Sequence, residues 1–131
     1  MKVLCRARTQ FQRWPVYREA REFAKIAHKF CFTLPKSGTH SLGDQFRRAS
    51  QSIVLNVAEG ASRSTFKDKI NFLRMAKGST FECAAVVDLA GDFELLPEGA
   101  YDELQSRLAN IGRMLSAMIR YWEKTEKPAP R

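Results

Sequence analysis

The chain has 131 residues, of which 44% are hydrophobic, 11% aromatic and 27% charged, with a formal net charge of +8. These values fit one globular domain and exclude a disordered chain, and no apolar run approaches the roughly 18 residues that a membrane-spanning helix needs. Cys5, Cys31 and Cys83, with His28 and His40, are too scattered for a disulfide framework or a zinc site, so no metal and no cofactor is expected.

In chain order, residues 1–13 read as a basic N-terminal segment, carrying Lys2, Arg6, Arg8 and Arg13 without an acid. It lacks the apolar stretch of a signal peptide, so a cytoplasmic chain with reduced thiols and no membrane partner is expected. Residues 14–124 carry four amphipathic patterns. The first places Trp14, Tyr17, Ala20, Ala24, Ala27 and Cys31 on one stripe, widened by Phe23, Ile26 and Phe30, before the turn cluster around Pro35 and Gly38. "SLGD" then predicts an N-cap at Ser41 with Asp44 reaching back, opening a second helix with Phe46, Ala49, Ile53 and Val57 inward. Gly60 is expected to stop it.

"TFKD" predicts the next cap at Thr65, with Asp68 three positions on. The third helix carries one stripe of Phe66, Ile70, Leu73, Ala76, Thr80, Ala84 and Val87. A second, roughly opposite, holds Phe72, Met75, Ser79, Glu82, Val86, Leu89 and Phe93. An outer bundle helix needs one dry face, so the second stripe predicts a subunit interface through Phe72, Met75, Glu82, Val86 and Leu89. After the break at "LLPEGAYDEL", helix four presents Leu104, Leu108, Ile111, Leu115, Met118 and Trp122 as a heptad seam. Four such helices with short links and no strand signal predict an all-α, antiparallel up-down four-helix bundle. Residues 125–131 read as a frayed tail.

Charge is segregated along the chain. Residues 36–78 hold eight basic side chains against Asp44, Glu59 and Asp68, whereas residues 79–97 hold Glu82, Asp88, Asp92 and Glu94 without a base. That polarity favours a polyanionic partner. Arg47, Arg63, Lys67 and Arg74 are expected to flank the junction of helices two and three and to contact phosphates, with Arg120 on the outer face of helix four contributing little. The alternative is a protein-interaction scaffold whose positive charge is incidental.

No glycine-rich phosphate loop, nucleophile elbow or HExxH motif occurs, and no catalytic residue is assigned. Arg21 and His28 resemble the Arg–x4–6–His pair of the HEPN ribonucleases, which makes an RNA-cleaving enzyme a remote alternative. That motif lies near the end of its bundle, however, and this pair lies on the first helix.

"NVAEGASR", residues 56–63, sets a polar and an acidic residue at the end of helix two. Arg48, Ser52, Leu55 and Glu59 are expected on a back stripe away from Phe46 and Ile53. Glu59 should accept from Arg48 or Arg63, and Asn56 should bridge groups at the helix end while Gly60 lets the chain reverse. Asn56, Glu59, Gly60 and Arg48 thus read as an architectural set.

"LNVAEGASRST" and "FLRMAKGSTFE" resemble the four helix bundle protein family, whose members include proteins encoded in intervening sequences of bacterial large-subunit ribosomal RNA genes. The resemblance lies on Asn56, Ala58, Glu59, Gly60, Arg63, Phe72, Leu73, Ala76, Gly78, Ser79 and Glu82, and on "LGDQFRRASQSI" through Leu42, Gln45, Arg47, Arg48, Ala49, Ser52 and Ile53. One departure is Ala84, where the family often carries a second acid. The family is similar in fold to the accessory variability proteins of diversity-generating retroelements, basic pentameric barrels that bind nucleic acid and a reverse transcriptase. The resemblance therefore implies a comparable homopentameric ring without enzymatic activity, with RNA or DNA and a reverse transcriptase as partners.

Overall fold

A computed structural model describes residues 9–34 and 41–126. Lys2, Cys5, Arg6 and Arg8 of the basic segment, the Pro35/Gly38 turn, His40 and the tail from residue 127 lie outside the described residues. A single 3-10 turn, Gln10–Arg13, leads into α1 (Pro15–Cys31), α2 (Leu42–Ser62), α3 (Phe66–Asp92) and α4 (Ala100–Glu126), and no strand occurs among the described residues. The helices form an antiparallel up-down four-helix bundle in which α2 packs on α3, α3 on α4, α1 on α2 and α4 back on α1.

Local chemistry sets the ends. Pro15 begins α1, where its missing N–H would have had no partner anyway. Ser41 Oγ accepts from the Asp44 N–H at 3.1 Å, and Thr65 Oγ1 from the Asp68 N–H at 3.2 Å, so each side chain satisfies a first-turn donor. Helix α3 ends in a Schellman arrangement: the Glu94 N–H reaches the Gly91 carbonyl and the Leu95 N–H the Ala90 carbonyl. The left-handed position, usually a glycine, is taken by Glu94 at φ 58°.

The core is built from one stripe per helix. Phe23 of α1 meets Phe46 of α2 edge-on at 5.7 Å, with Phe30 beyond at 6.0 Å from Phe46. Ile53, Val57, Leu73 and Ile111 fill the middle at full burial. Trp14 against Trp122, 5.7 Å apart, ties the start of α1 to the end of α4. On α4 the expected seam holds except that Ile119, not Met118, is buried; Met118 lies half-buried beside it. A straight helix of 3.6 residues per turn drifts off a strict heptad, and after Leu115 the step of four follows the true period.

Gly60 does not stop α2. The helix continues to Ser62, with Arg63 extended at φ −77°, ψ 150° as the cap residue. Gly60 is buried inside it, and a Cβ there would sit 3.2 Å from the Lys69 carbonyl oxygen and 3.2 Å from Phe72 Cβ. Its missing side chain lets the α2 and α3 backbones approach. The end itself is satisfied by Lys69, whose Nζ donates to the Ala61 carbonyl at 3.0 Å.

Cys83 is fully enclosed in the core, and burial, with Glu82 adding a like charge, pushes its thiol pKa up to about 12. An acid whose folded pKa is raised contributes stability fully below its unfolded pKa of 9.0 and loses it as pH climbs toward about 12. Two results are expected. Peptide mapping after iodoacetamide treatment should find Cys83 unmodified in the native protein and modified after unfolding. Melting temperature should fall above pH 9.0, and less steeply in Cys83→Ala.

Candidate nucleic-acid interface

The seam between α2 and α3 is polar where the two helices meet at the surface. Asn56 Nδ2 donates to the Ser52 carbonyl and to Ser52 Oγ, both at 2.9 Å, and Ser79 Oγ of α3 donates to Ser52 Oγ at 2.8 Å. This chain of bonds places Ser52 toward α3, not on a back stripe; Leu55, 65% exposed, is turned instead toward α1 with Arg21 and Gln51. At the corner, Arg63 Nη2 donates to Glu59 Oε1 at 2.5 Å, and its guanidinium lies 4.6 Å from the centre of the Phe72 ring. Arg48 bonds Asp44 at 3.3 Å instead of Glu59. An (i, i+4) ion pair, a stacked cation and a glycine contact thus join the end of α2 to the start of α3.

The four basic residues expected to cluster do not all come together. Arg47 is at the N-terminal end of α2, about 24 Å of helix axis from Arg63 at a rise of 1.5 Å per residue. It is bound to Asp44 at 2.6 Å. Arg74 turns toward α4 and pairs with Glu123 at 2.9 Å. Arg63 and Lys67 remain at the corner, and Lys67 has no ion-pair partner among the described residues. Lys69, also at this end, lies 5.7 Å from the Trp122 ring.

The antiparallel topology converts the sequence polarity into a spatial one. Asp88, Asp92, Glu94, Glu98, Asp102 and Glu103 gather around the α3–α4 connection at one end. There Tyr101 Oη donates to Asp88 Oδ1 at 2.8 Å, and that bond, with the nearby carboxylate charge, raises the phenol pKa above its ordinary value. The opposite end is mixed: Arg13, Arg63, Lys67, Lys69 and Lys124 stand there with Glu59, Asp68, Glu123 and Glu126.

The second stripe of α3 is not opposite the core. Its inner half lies on the α2 shoulder. At 100° per residue Phe72, Ser79 and Val86 shade toward α2, whereas Met75, Glu82 and Leu89 point outward. Val86 is accordingly 4% exposed and belongs to the chain's own core, and Phe72 is half-buried beneath Arg63. Met75, Leu89 and Phe93 are 51%, 43% and 60% exposed, with Glu82 exposed between them.

Other candidate groups have local partners. Arg21 stacks 5.8 Å from the Tyr17 ring and His28 meets Phe32 edge-on at 5.1 Å. Among the described residues no group of three His, Cys, Asp or Glu side chains could hold a metal ion, and no helix is long and apolar enough to cross a membrane. Sequence reasoning missed Phe81, 63% exposed on the α4 side of α3, because it belongs to neither apolar stripe. Arg120, expected on the outer face of helix four and to contribute little, lines the α3–α4 groove with Phe81.

Residues 12–117 match the 23S rRNA-intervening sequence protein family. The chain belongs to that family. Its fold also matches a crystal structure of a protein of unknown function from the S23 ribosomal protein family of Bacteroides thetaiotaomicron VPI-5482, with TM-score 0.72 and 23% identity. That match covers 79% of this chain and 97% of the other. No curated protein matches the chain significantly. For this member of the intervening sequence family, the residues on which the sequence resemblance lies take on a common place. Gln45, Arg48, Ser52 and Glu82 border one shallow hollow, and Asn56, Ser79, Arg63 and Phe72 continue the same α2–α3 seam.

Proposed function

We propose that this intervening sequence protein is a non-catalytic, self-associating RNA-binding bundle that holds phosphates on its basic surface. The observation carrying this reading is the distribution of charge: a cluster of carboxylates surrounds the α3–α4 connection, whereas Lys67, Lys77, Arg113 and Arg120, away from it, have no ion-pair partner among the described residues. The family's link to 23S rRNA supports RNA as the polyanion. The exposed Met75, Leu89 and Phe93, three large apolar side chains along one side of α3, support self-association. Repetition of one basic surface in each copy lets weak contacts on one strand add through effective concentration.

Fluorescence anisotropy with labelled single-stranded RNA tests it. With about four phosphate contacts, affinity should fall about 50-fold between about 50 and 200 mM salt, because each neutralised phosphate releases condensed counterions. Lys67→Glu should weaken binding and lower the salt slope by about one contact's worth. Arg47→Ala should matter little, because Arg47 lies at the far end against Asp44. Absence of binding at low salt would remove the proposal.

A further inference from the structure

Between α3 and α4 runs a groove of about 740 Å³, within the range of roughly 300–1,000 Å³ typical of ligand clefts. Its floor is small and apolar, from Ala84, Leu108, Ala109 and Ala117, and at Gly112 nothing lies within 4 Å of where a Cβ would stand. Lys77, Arg113 and Arg120 border it, and no aspartate or glutamate does. None of these three cations has an ion-pair partner among the described residues. Phe81 stands on the same wall, 63% exposed, with Lys77 Nζ 5.8 Å from its ring centre.

Uncompensated cations select an anion, and an exposed flat ring over an apolar floor selects a flat apolar group. Inorganic phosphate would leave Phe81 unused, and a duplex keeps its base faces stacked inside. A single strand offers both phosphates and free base faces. The geometry points to this groove as a site for single-stranded RNA, with Phe81 stacking on a base and Lys77, Arg113 and Arg120 holding the backbone. The site rests on the RNA association proposed above and gives it a location that the α2–α3 corner does not. At the far end Gln105 Nε2 donates to Asp88 Oδ1 at 3.1 Å and to the Ala84 carbonyl, also at 3.1 Å. Asp88 repels phosphate there, so the strand occupies the half of the groove nearer Arg120. Arg113 and Arg120, two turns apart on α4, stand about 10 Å from each other along the helix axis.

The test compares the parent, Phe81→Ala, and the double variant Arg113→Ala with Arg120→Ala, using labelled oligouridine in anisotropy titrations over a salt series. Phe81, Arg113 and Arg120 are exposed, so helical content and melting should match the parent. Phe81→Ala should weaken oligouridine binding about tenfold at an unchanged salt slope, the signature of lost stacking without lost charge. The double variant should reduce the slope by about 1.4, for two phosphate contacts on a single strand. Parent-like binding by both variants would overturn the groove while leaving RNA association standing. A parent that binds no oligouridine or other RNA at low salt would overturn both. Variants that change the mass in light scattering and leave RNA affinity alone would make the groove a subunit contact, and this assignment would be wrong.

Discussion

Replacing Gly60 by valine should lower the melting temperature by about 10 °C, for an overpacking cost of about 2–3 kcal/mol in a domain of this size. The new side chain would meet the Lys69 carbonyl oxygen and Phe72 Cβ, each 3.2 Å from its Cβ. One of these is backbone and cannot swing aside, so α2 and α3 must separate. Separation would stretch the Lys69–Ala61 bond and lift Phe72 from Arg63. Gly60→Ala should lie near the parent, because about 1 kcal/mol of helix propensity offsets the milder clash. Gly78→Ala is the internal control. Gly78 is exposed within α3 with nothing within 4 Å of a Cβ, so alanine there should raise stability by up to about 1 kcal/mol. If Gly60→Val melted with the parent, Gly60 would not be holding the two helices close.

The second large effect is on assembly. Light scattering at micromolar concentration should find the parent in multiple copies, and Met75→Glu with Leu89→Glu should yield monomers of unchanged helical content. Met75 and Leu89 are 51% and 43% exposed in the single chain and lie outside its core, so glutamate at either site leaves the core intact. In a dry contact between copies the same charge has no partner and costs several kcal/mol, which corresponds to at least about 100-fold in the dissociation constant. Glu82 already stands between them, and added carboxylates would repel it as well. A monomeric parent would end the assembly proposal. A double variant that stays assembled would move the interface off this face.

Much of the fold is legible because it rests on neighbours in sequence. The Ser41 and Thr65 caps, the first-turn donors they satisfy and the apolar stripes on α1, α2 and α4 all follow from residues three or four positions apart, where helix geometry alone brings side chains together. The Glu59–Arg63 pair, also four apart, was foreseeable for that reason. Where a partner comes from another helix, the sequence is silent. Gly60 looks like a helix stop until α3 is set 3.2 Å away, and Val86 looks like interface until its shoulder of α3 is turned into the core.

The candidate site divides in the same way. Composition and the order of charges along the chain already fix the net charge of +8 and the acid-only stretch over residues 79–97. Which cations remain uncompensated is decided only in the bundle, because Arg74 finds Glu123 across 49 positions of sequence while Lys77, Arg113 and Arg120 find no ion-pair partner among the described residues. The groove exists only because antiparallel packing sets Lys77 and Phe81 of α3 beside Arg113 and Arg120 of α4. Helix periodicity is a property of the local chain. The pairing of charges depends on distances between segments, and packing sets those distances.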